Sequence, residues 1–246
     1  MSLTAKRVLI TGGGSGTGAE LARAFAAAGA SVVIAGRRAE ALETVSQQSS
    51  AITPIVADVT DEASVKALFE AAGACDIVIA NAGNATSGSF AKTQLADWNA
   101  MLAVNLTGVF LTFREGLSRL NGWGRLIAVA STAGLKGYPY VAPYVAAKHG
   151  VIGLVRALAL EVAQRPVTVN AICPGFLDTE MTERSIATIM EKTKRGRDEA
   201  VSALAKNNPQ ARLFDAAEVT SAALWLCSDG ARGVNGHALA ISGGEV

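Results

Sequence analysis

A glycine-rich octapeptide between a predicted strand and a predicted helix constrains the fold of this chain most strongly. The apolar run Lys6–Ile10 predicts a short buried strand, and Thr11–Gly18 reads T-G-G-G-S-G-T-G. The alanine-rich segment Ala19–Ala28 then predicts a helix that ends at Gly29, and a second apolar strand follows at Ser31–Ala35. A strand, a glycine-rich turn, a helix and a strand within about 30 residues predict a βαβ unit, whose two strands are parallel.

The same alternation continues to the end of the 246 residues. Further strands are predicted at Ile52–Ala57, Asp76–Ala80, Gly124–Ala130, Val167–Cys173 and His237–Ile241. Helices are predicted at Ala39–Gln47, at Asp61–Ala72, at Leu95–Leu120 with an interruption near Asn105–Gly108, from Pro143 to about Ala163, and at Asp215–Cys227, with a charged and less regular segment at Thr179–Pro209. Continuous apolar strands predict burial on both faces, hence a parallel sheet with helices on both sides. We expect one doubly wound α/β domain over residues 1–246.

Glycines at the turn after the first strand predict a phosphate-binding loop. Gly12, Gly16 and Gly18 would let the backbone turn tightly and let a pyrophosphate approach the helix N-terminus. A merely flexible turn is the alternative. The predicted cofactor-binding residues of this loop are Gly12, Gly14, Ser15, Gly16, Thr17 and Gly18.

The end of the second strand bears on the choice of cofactor. Dinucleotide sites that bind a ribose 2′-hydroxyl have an acidic residue there. This chain has Gly36 instead, followed by Arg37 and Arg38. Because an arginine fork binds a 2′-phosphate through charge-assisted hydrogen bonds, the pattern predicts NADP(H) rather than NAD(H). The alternative is that the arginines simply begin a solvated helix.

Two more loops follow predicted strands at the same edge of the sheet. Asp58 and Val59 come after the third strand and are candidates for contacting the adenine, with an ordinary loop aspartate as the alternative. Asn81, Ala82 and Gly83 come after the fourth strand, near the expected switch point of the sheet. Ligands of such sheets bind in the crevice at the switch point, so we expect this tripeptide to lie against the cofactor, with an ordinary turn as the alternative.

A tyrosine and a lysine four residues apart lie in the long helix after Pro143. Tyr144 and Lys148 therefore share one helix face, one turn apart. An ammonium beside a phenol favours the phenolate and lowers its pKa, which would let the phenol exchange a proton with an alcohol or ketone oxygen. Ser131 follows the fifth predicted strand, where its hydroxyl can hydrogen-bond a substrate oxygen.

Six motifs in this order resemble the short-chain dehydrogenase/reductase family. They are T-G-x-x-x-G-x-G at Thr11–Gly18, N-A-G at Asn81–Gly83, Asn105, Ser131, Y-x-x-x-K at Tyr144–Lys148 and P-G at Pro174–Gly175. The resemblance covers nearly the whole chain and implies a Rossmann-like subunit with a seven-stranded parallel sheet, usually in a tetramer. Thr17 in place of the commoner Ile, and Ala130 in place of a frequent Ser, depart from the family pattern without touching the chemistry.

The resemblance also implies roles for individual residues. Tyr144 would be the general acid in reduction and the base in oxidation, and Lys148 would lower its pKa and hold the nicotinamide ribose. Ser131 would orient the substrate carbonyl, while Asn105 would anchor a water in a proton relay through Lys148. The nicotinamide carboxamide would be held by Pro174, Gly175, Leu177 and Thr179.

The substrate is predicted from weaker signals. The segment 176–209 is too long for a plain connection and is expected to form a lid. A basic cluster in it would be either a solvated helix face or a contact for the phosphates of a coenzyme A or carrier-protein thioester; it comprises Lys192, Lys194, Arg195 and Arg197. The closing G-H-A-L-A-I-S-G-G-E-V is similar to the end of 3-oxoacyl thioester reductases. Tyr138 and Tyr140 are expected to line the substrate pocket or to pack beneath it.

Such a thioester is the first expectation for the substrate, and an unrelated small ketone or secondary alcohol is the second. Two other functions stay open. One is an NAD-dependent alcohol or 3-hydroxyacyl dehydrogenase, and the other is a catalytically inactive nucleotide-binding protein.

Composition argues against other kinds of partner. The net charge is +1, so nothing favours nucleic acid or an anionic membrane surface. The segment Met1–Val8 has no apolar core of a signal peptide, and the longest uncharged run, Trp98–Phe113, is too short to span a bilayer. The chain's cysteines fit neither a disulfide framework nor a zinc site; they are Cys75, Cys173 and Cys227. We therefore expect a cytoplasmic protein that binds no metal.

Overall fold

A seven-stranded parallel sheet runs through the computed structural model, which describes residues 2–194 and 196–246. The strands are β1 (Arg7–Thr11), β2 (Ser31–Gly36), β3 (Ile52–Val56), β4 (Ile77–Ala80), β5 (Gly124–Val129), β6 (Val167–Pro174) and β7 (Ala238–Ile241). The helices are α1 (Gly16–Ala27), α2 (Ala39–Ser46), α3 (Glu62–Ala72), α4 (Leu95–Leu102), α5 (Gly108–Arg119), α6 (Ala142–Glu161), α7 (Glu180–Thr193), α8 (Arg197–Ala205) and α9 (Ala216–Leu226).

The central strands are buried on both faces, as their continuous apolar sequence predicts. Every residue of β4, β5 and β6 is buried. Along β1, Val8 and Ile10 join the core formed with α1 and α9, whereas Leu9 points to the opposite core, formed with α3, α5 and α6. Because successive side chains of a strand point to opposite faces, one apolar run supplies both cores. The predicted doubly wound α/β fold is confirmed.

The strand order, β3-β2-β1-β4-β5-β6-β7, reverses direction between β1 and β4. These two strands pair in parallel with Leu9 opposite Val78, so their carboxyl ends open side by side. The loops that follow them diverge to opposite sides of the sheet and leave a crevice between them. The glycine-rich turn and the N-A-G tripeptide both line this crevice.

Two predicted irregularities differ from what the structure contains. The expected interruption near Asn105–Gly108 is a π-helical segment, Ala103–Thr107, that joins α4 to α5 without a break. A π-helical turn inserts one extra residue, which disturbs the 3.6-residue pattern while the backbone stays helical. The charged segment Thr179–Pro209 contains α7 and α8, which need only a few buried residues such as Ile186 and Ala200 to pack.

The three cysteines are unpaired and buried. Among residues 2–194 and 196–246, no helix has both the length and the apolar character required to cross a bilayer. The same residues contain no group of three His, Cys, Asp or Glu side chains that could hold a metal ion.

Candidate active site

The glycine-rich turn between β1 and α1 is held by the end of β4. Thr11 Oγ1 accepts hydrogen bonds from the backbone amides of Asn81 and Ala82, both at 3.1 Å. Asn81 Nδ2 donates in return to the Thr11 carbonyl at 3.0 Å. Gly12 has a φ of +69° and donates its amide to the Ala35 carbonyl at 2.7 Å. Asn81 and Ala82 therefore support the turn directly, in addition to lining the crevice.

Gly18 and Gly16 keep the start of α1 free of side chains. A Cβ on Gly18 would overlap the Gly12 carbonyl oxygen and lie 2.6 Å from Asn81 Nδ2. A Cβ on Gly16, whose φ is +50°, would lie 3.6 Å from the Thr179 side chain, so Thr179 faces the turn from across the crevice. Backbone amides at a bare helix N-terminus favour a phosphate, so this turn fits the pyrophosphate of a dinucleotide.

The rest of the loop connects the turn to α2. Ser15 precedes α1 in an extended conformation, and its Oγ accepts a hydrogen bond from Arg38 Nη2 at 3.0 Å. Gly14 packs against α2, where a Cβ would lie 3.2 Å from Ala41 Cβ. Thr17 is the second residue of α1. The loop is thus in direct contact with the start of α2.

Both predicted arginines directly follow β2. Arg37 and Arg38 are exposed, and neither forms an ion pair within the described residues. The pKa of Asp58 is lowered, first by the Thr60 amide that hydrogen-bonds it and to a smaller extent by the charge of Arg37. Arg37 therefore lies near Asp58, and the two guanidinium groups leave a positive charge available to an anion at the end of β2.

The side chains of Asp58 and Val59 make local structural contacts. Asp58 Oδ1 accepts from the Thr60 amide at 2.9 Å and from its hydroxyl at 2.8 Å, which caps a turn. Val59 is buried against Gly108, where a Cβ would come within 2.9 Å of Val59 Cγ2. The predicted contact of these residues with an adenine stays a prediction.

Tyr144, Lys148 and Ser131 come together above the ends of β4 and β5. Lys148 Nζ lies 5.5 Å from the centroid of the Tyr144 ring and donates to the Val129 carbonyl at 2.9 Å. Lys148 is only 4% exposed, and Tyr144 is half-buried. Ser131 lies close enough to the Tyr144 phenol to influence its pKa, and Ser131 Oγ accepts a hydrogen bond from the Ala133 amide at 3.1 Å. The structure therefore brings these three predicted side chains together.

Burial is the main cause of the pKa shifts of Tyr144 and Lys148. It raises the pKa of the Tyr144 phenol, while the nearby Ser131 hydroxyl lowers that pKa to a smaller extent. Burial also lowers the pKa of the Lys148 ammonium, to about 8. The expected net lowering of the Tyr144 pKa by Lys148 is therefore not found, because removal of the phenol from water outweighs its favourable neighbours. Tyr144 keeps its proton, which is the form that can act as an acid.

Asn105 occupies the π-helical segment directly behind Gly83. Its side chain is fully buried, and Nδ2 donates to the carbonyls of Asn84 at 3.0 Å and Met101 at 3.1 Å. A Cβ on Gly83 would lie 2.7 Å from Asn105 Oδ1 and 3.8 Å from Lys148 Nζ. Only glycine at position 83 lets Asn105 and Lys148 approach the same point. π-helical turns occur frequently at functional sites, and this one lies beside the catalytic candidates.

The P-G motif ends β6 on the other side of the crevice. Pro174 is the last residue of β6 and pairs with Ile241. A Cβ on Gly175 would lie 3.0 Å from the Phe214 ring, and Leu177 forms a bridge with Phe214. The chain from Pro174 onward therefore runs along the crevice toward the glycine-rich turn, which it reaches at Thr179.

Two side chains near the catalytic candidates were not predicted. Cys173 lies in β6 close to Tyr144 and Lys148, and burial raises the pKa of its thiol to about 11. Glu245 Oε1 lies 2.6 Å from the Tyr138 hydroxyl and 3.1 Å from Lys136 Nζ. The P-G motif begins at the next residue, so the sequence could have placed Cys173 near the active site. Nothing in the sequence links Glu245 to Tyr138, because tertiary folding alone brings the C-terminus there.

The two other tyrosines and the basic cluster, which were predicted to lie near the substrate, differ in their exposure. Tyr138 is partly shielded beside Tyr144, whereas Tyr140 is 69% exposed and has a φ of +68°. In the basic cluster, Arg197 pairs with Glu183 at 2.5 Å. Lys192 and Lys194 at the end of α7 are exposed, and Arg195 lies outside the described residues.

Replacing Lys148 with Met is expected to change how stability depends on pH. The ammonium has a pKa of about 8 in the folded chain against an ordinary 10.5, so the unfolded chain binds more protons between these values. Wild-type stability should therefore rise with pH over this range, and Lys148→Met should lack that rise. From about pH 7 to about pH 10, we expect the free energy of unfolding of wild type to gain about 2–3 kcal/mol relative to the variant.

Urea unfolding across this pH range measures the difference. Lys66→Met is the control, because Lys66 is exposed on α3. A stability difference between wild type and Lys148→Met that stays constant with pH would show that burial does not perturb this ammonium.

Comparison with known proteins places this geometry among dehydrogenases and reductases. Residues 6–189 match the family model described as short chain dehydrogenase. The putative ketoacyl reductase 1 of the granaticin polyketide synthase of Streptomyces violaceoruber is 37% identical, over 96% of this chain and 91% of that protein. The D-beta-hydroxybutyrate dehydrogenase of Rhizobium meliloti (strain 1021) is 34% identical, over 97% and 98%. The crystal structure of a single-residue variant of actinorhodin polyketide ketoreductase with NADPH superposes with a TM-score of 0.90 at 33% identity, covering 100% of this chain and 99% of that chain.

Proposed function

This chain belongs to the short-chain dehydrogenase/reductase family, and on that premise we propose that it is an NADP(H)-dependent oxidoreductase that interconverts a ketone and a secondary alcohol. The observation that carries the proposal is the convergence of Ser131, Tyr144 and Lys148 beside a bare helix N-terminus. One crevice thus combines a proton donor, a second hydroxyl and a phosphate-binding turn. A catalytically inactive nucleotide-binding protein would not need the proton donor or the second hydroxyl.

In the proposed mechanism, the substrate oxygen lies between the hydroxyls of Ser131 and Tyr144. A bound nicotinamide supplies the hydride. During reduction, Ser131 donates a hydrogen bond to the oxygen as negative charge develops there, and Tyr144 gives it the phenolic proton. Burial of the phenol keeps that proton in place beforehand. In oxidation the same groups act in reverse, with Tyr144 as the base.

Lys148 and Asn105 are proposed to restore the proton of Tyr144. Lys148 Nζ lies next to the phenol ring and close to Gly83, where Asn105 Oδ1 also points. Its pKa of about 8 lets the amine gain and lose protons near neutral pH. Asn105 would hold a water that passes protons to Lys148. Lys148 would also bind the nicotinamide ribose, and Pro174, Gly175, Leu177 and Thr179 would hold the carboxamide.

The preference for NADP(H) is proposed from the two unpaired arginines. A 2′-phosphate at the end of β2 would neutralise guanidinium groups that no carboxylate pairs with in the described residues. The Arg38–Ser15 hydrogen bond holds one of them next to the loop. The related actinorhodin ketoreductase was crystallised with NADPH, which is consistent with this preference.

Arg37→Ala is expected to raise KM for NADPH about 10- to 100-fold, because a hydrogen bond to a charged group contributes about 1.5–3 kcal/mol. KM for NADH should stay within about twofold, since NADH lacks the 2′-phosphate. Steady-state kinetics with both cofactors measures this. Arg23→Ala is the control, because Arg23 is an exposed arginine on α1 that pairs with Glu20. Equal loss of affinity for both cofactors would contradict a 2′-phosphate site at Arg37.

A 3-oxoacyl thioester of coenzyme A or an acyl carrier protein is the proposed substrate. The similarity to a putative ketoacyl reductase supports this class. Exposed Lys192 and Lys194 at the end of α7 provide positive charge for the phosphates of such a carrier, although Arg197 is already paired with Glu183. We propose that the 176–209 segment, which contains α7 and α8, closes over the substrate as a lid.

The hydroxybutyrate dehydrogenase among the relatives supports a second candidate, an NAD-dependent dehydrogenase of a 3-hydroxy acid or other alcohol. Measuring kcat/KM for acetoacetyl-coenzyme A with NADPH and for 3-hydroxybutyrate with NAD distinguishes the two candidates. We expect the first pair to be preferred at least about tenfold in kcat/KM. Binding of NADPH without turnover across a panel of carbonyl compounds would instead favour an inactive nucleotide-binding protein.

The assembly and location are proposed from the surface and the cysteines. Large apolar side chains are exposed on four helices and would be covered in a homotetramer; they include Leu95, Phe110, Leu160 and Trp225. Light scattering on the purified protein measures the subunit number. Free buried cysteines are consistent with a reducing compartment, and we propose the cytoplasm.

A further inference from the structure

The chain turns back on itself after β7 and buries a carboxylate near its C-terminus. Gly243 and Gly244 have φ values of +61° and +96°, and the Glu245 amide donates to the Ser242 carbonyl at 3.2 Å. Gly243 is pressed against Asn208, to whose Cγ a Cβ would come within 3.0 Å. This turn directs the Glu245 side chain inward, where it is 2% exposed. A buried carboxylate is costly unless it is paired, so its partners identify its role.

Glu245 is paired with two side chains of the loop that follows β5. Its Oε1 lies 2.6 Å from the Tyr138 hydroxyl and 3.1 Å from Lys136 Nζ. The Tyr138 oxygen is also 2.7 Å from Thr132 Oγ1. Because an ionised carboxylate only accepts, Tyr138 gives its single proton to Glu245, and the Thr132 hydroxyl then donates to Tyr138. The order of donors is fixed along the whole chain of groups.

This chain of groups borders the place where the substrate oxygen is proposed to bind. Thr132 directly follows Ser131, and Tyr138 lies close enough to Tyr144 for Tyr144 to contribute to the raised pKa of Tyr138. On the other side, a Cβ on Gly175 would lie 3.7 Å from Glu245 Oε2. Glu245 therefore stands between the loop that carries Ser131 and the P-G turn.

We propose that Glu245 is a positioning residue for the reaction: through Tyr138 and Lys136 it holds the wall of the substrate site beside Ser131 and Tyr144. The inference rests on the proposed function, because it assigns a role within the same site. Among the described side chains, the Tyr138 hydroxyl has two hydrogen-bond partners, Glu245, which accepts its proton, and Thr132, which donates to it. Without the carboxylate, Tyr138 loses the acceptor of its proton, and its ring is held less firmly in the position that shapes the site.

Three variants test the proposal. Glu245→Ala is expected to raise KM for acetoacetyl-coenzyme A about tenfold, because a charge-assisted hydrogen bond to Tyr138 is lost. Glu245→Gln keeps an acceptor oxygen for Tyr138 and should recover most of this loss. In a Tyr138→Phe background, Glu245→Ala should have a smaller further effect, because only the contact with Lys136 is then left to lose. Deletion of Val246 alone is the control for disturbance of the C-terminus.

Affinity for NADPH and the melting temperature are measured on the same variants. The proposal expects NADPH affinity to stay within about twofold, since none of these groups belongs to the phosphate-binding turn. It is overturned if Glu245→Ala leaves KM within twofold of wild type, or if its effect is undiminished in the Tyr138→Phe background. A parallel loss of substrate affinity, NADPH affinity and melting temperature would also overturn it, because Glu245 would then be a general stabiliser. A wild-type protein without turnover overturns the proposed function as well, whereas the other outcomes leave that function intact.

Discussion

Tyr144→Phe is expected to lower kcat about 1000-fold or more and to leave NADPH binding intact. The variant loses both the proton donor and one of the two hydrogen bonds to the developing oxyanion, and these effects together are expected to reach about 1000-fold or more. Ser131 remains as the other hydrogen-bond donor. The ring of Tyr144 is retained, so packing of α6 against β5 and β6 should change little.

Single-turnover kinetics and NADPH fluorescence titration measure the two quantities separately. Tyr140→Phe is the matched control, because it removes the hydroxyl of a tyrosine that is 69% exposed and lies four residues earlier. Retention of half the wild-type rate by Tyr144→Phe would refute the role of this phenol. Loss of NADPH binding would point to a structural role instead.

Gly18→Ala is expected to destabilise the protein by about 4 kcal/mol or more, an effect opposite to helix propensity. Alanine inside a helix normally stabilises it by about 1 kcal/mol relative to glycine. Here the new Cβ would overlap the Gly12 carbonyl oxygen and lie 2.8 Å from the Gly12 carbonyl carbon and 2.6 Å from Asn81 Nδ2. The backbone of the turn cannot move away from the new Cβ without breaking the hydrogen bonds between Thr11 and Asn81.

Urea unfolding measures the loss of stability, and NADPH titration of the folded fraction reports on the turn itself. Gly233→Ala serves as the control, because a Cβ there meets no atom within 4 Å and its φ is not positive. We expect that control within about 0.5 kcal/mol of wild type. A Gly18→Ala variant that is as stable as the control, and binds NADPH normally, would contradict the close contact between α1 and the turn.

Much of the site followed from local sequence rules because its parts are local. Tyr144 and Lys148 share a face through helix geometry alone, and the glycine-rich turn is a continuous segment between one strand and one helix. The loops after β4, β5 and β6 were predicted to meet because carboxyl ends of parallel strands lie at one edge. The structure brings Asn81, Ser131 and Pro174 to that edge, as expected.

Other features depended on distances that no local pattern encodes. The π-helical segment at Asn105 disturbed the helical pattern and was predicted as an interruption, because periodicity does not distinguish an extra residue from a break. Burial raises the pKa of Tyr144, so the net lowering of that pKa that the sequence predicted is not found. The prediction counted the neighbouring charge and omitted desolvation, which depends on everything packed around α6.

By itself, the sequence determined the order of the strands and of the helices other than α7 and α8, the glycine turn and the Tyr144–Lys148 pair, since each is encoded in a local pattern of residues. The continuous apolar strands also indicated the parallel sheet. Tertiary structure alone decided that Asn81 supports the turn, that Lys148 is buried against the Val129 carbonyl, and that Glu245 reaches Tyr138. These contacts join residues far apart in the chain. Their energies come from burial and hydrogen-bond geometry, which exist only once the sheet has assembled and its two cores have excluded water.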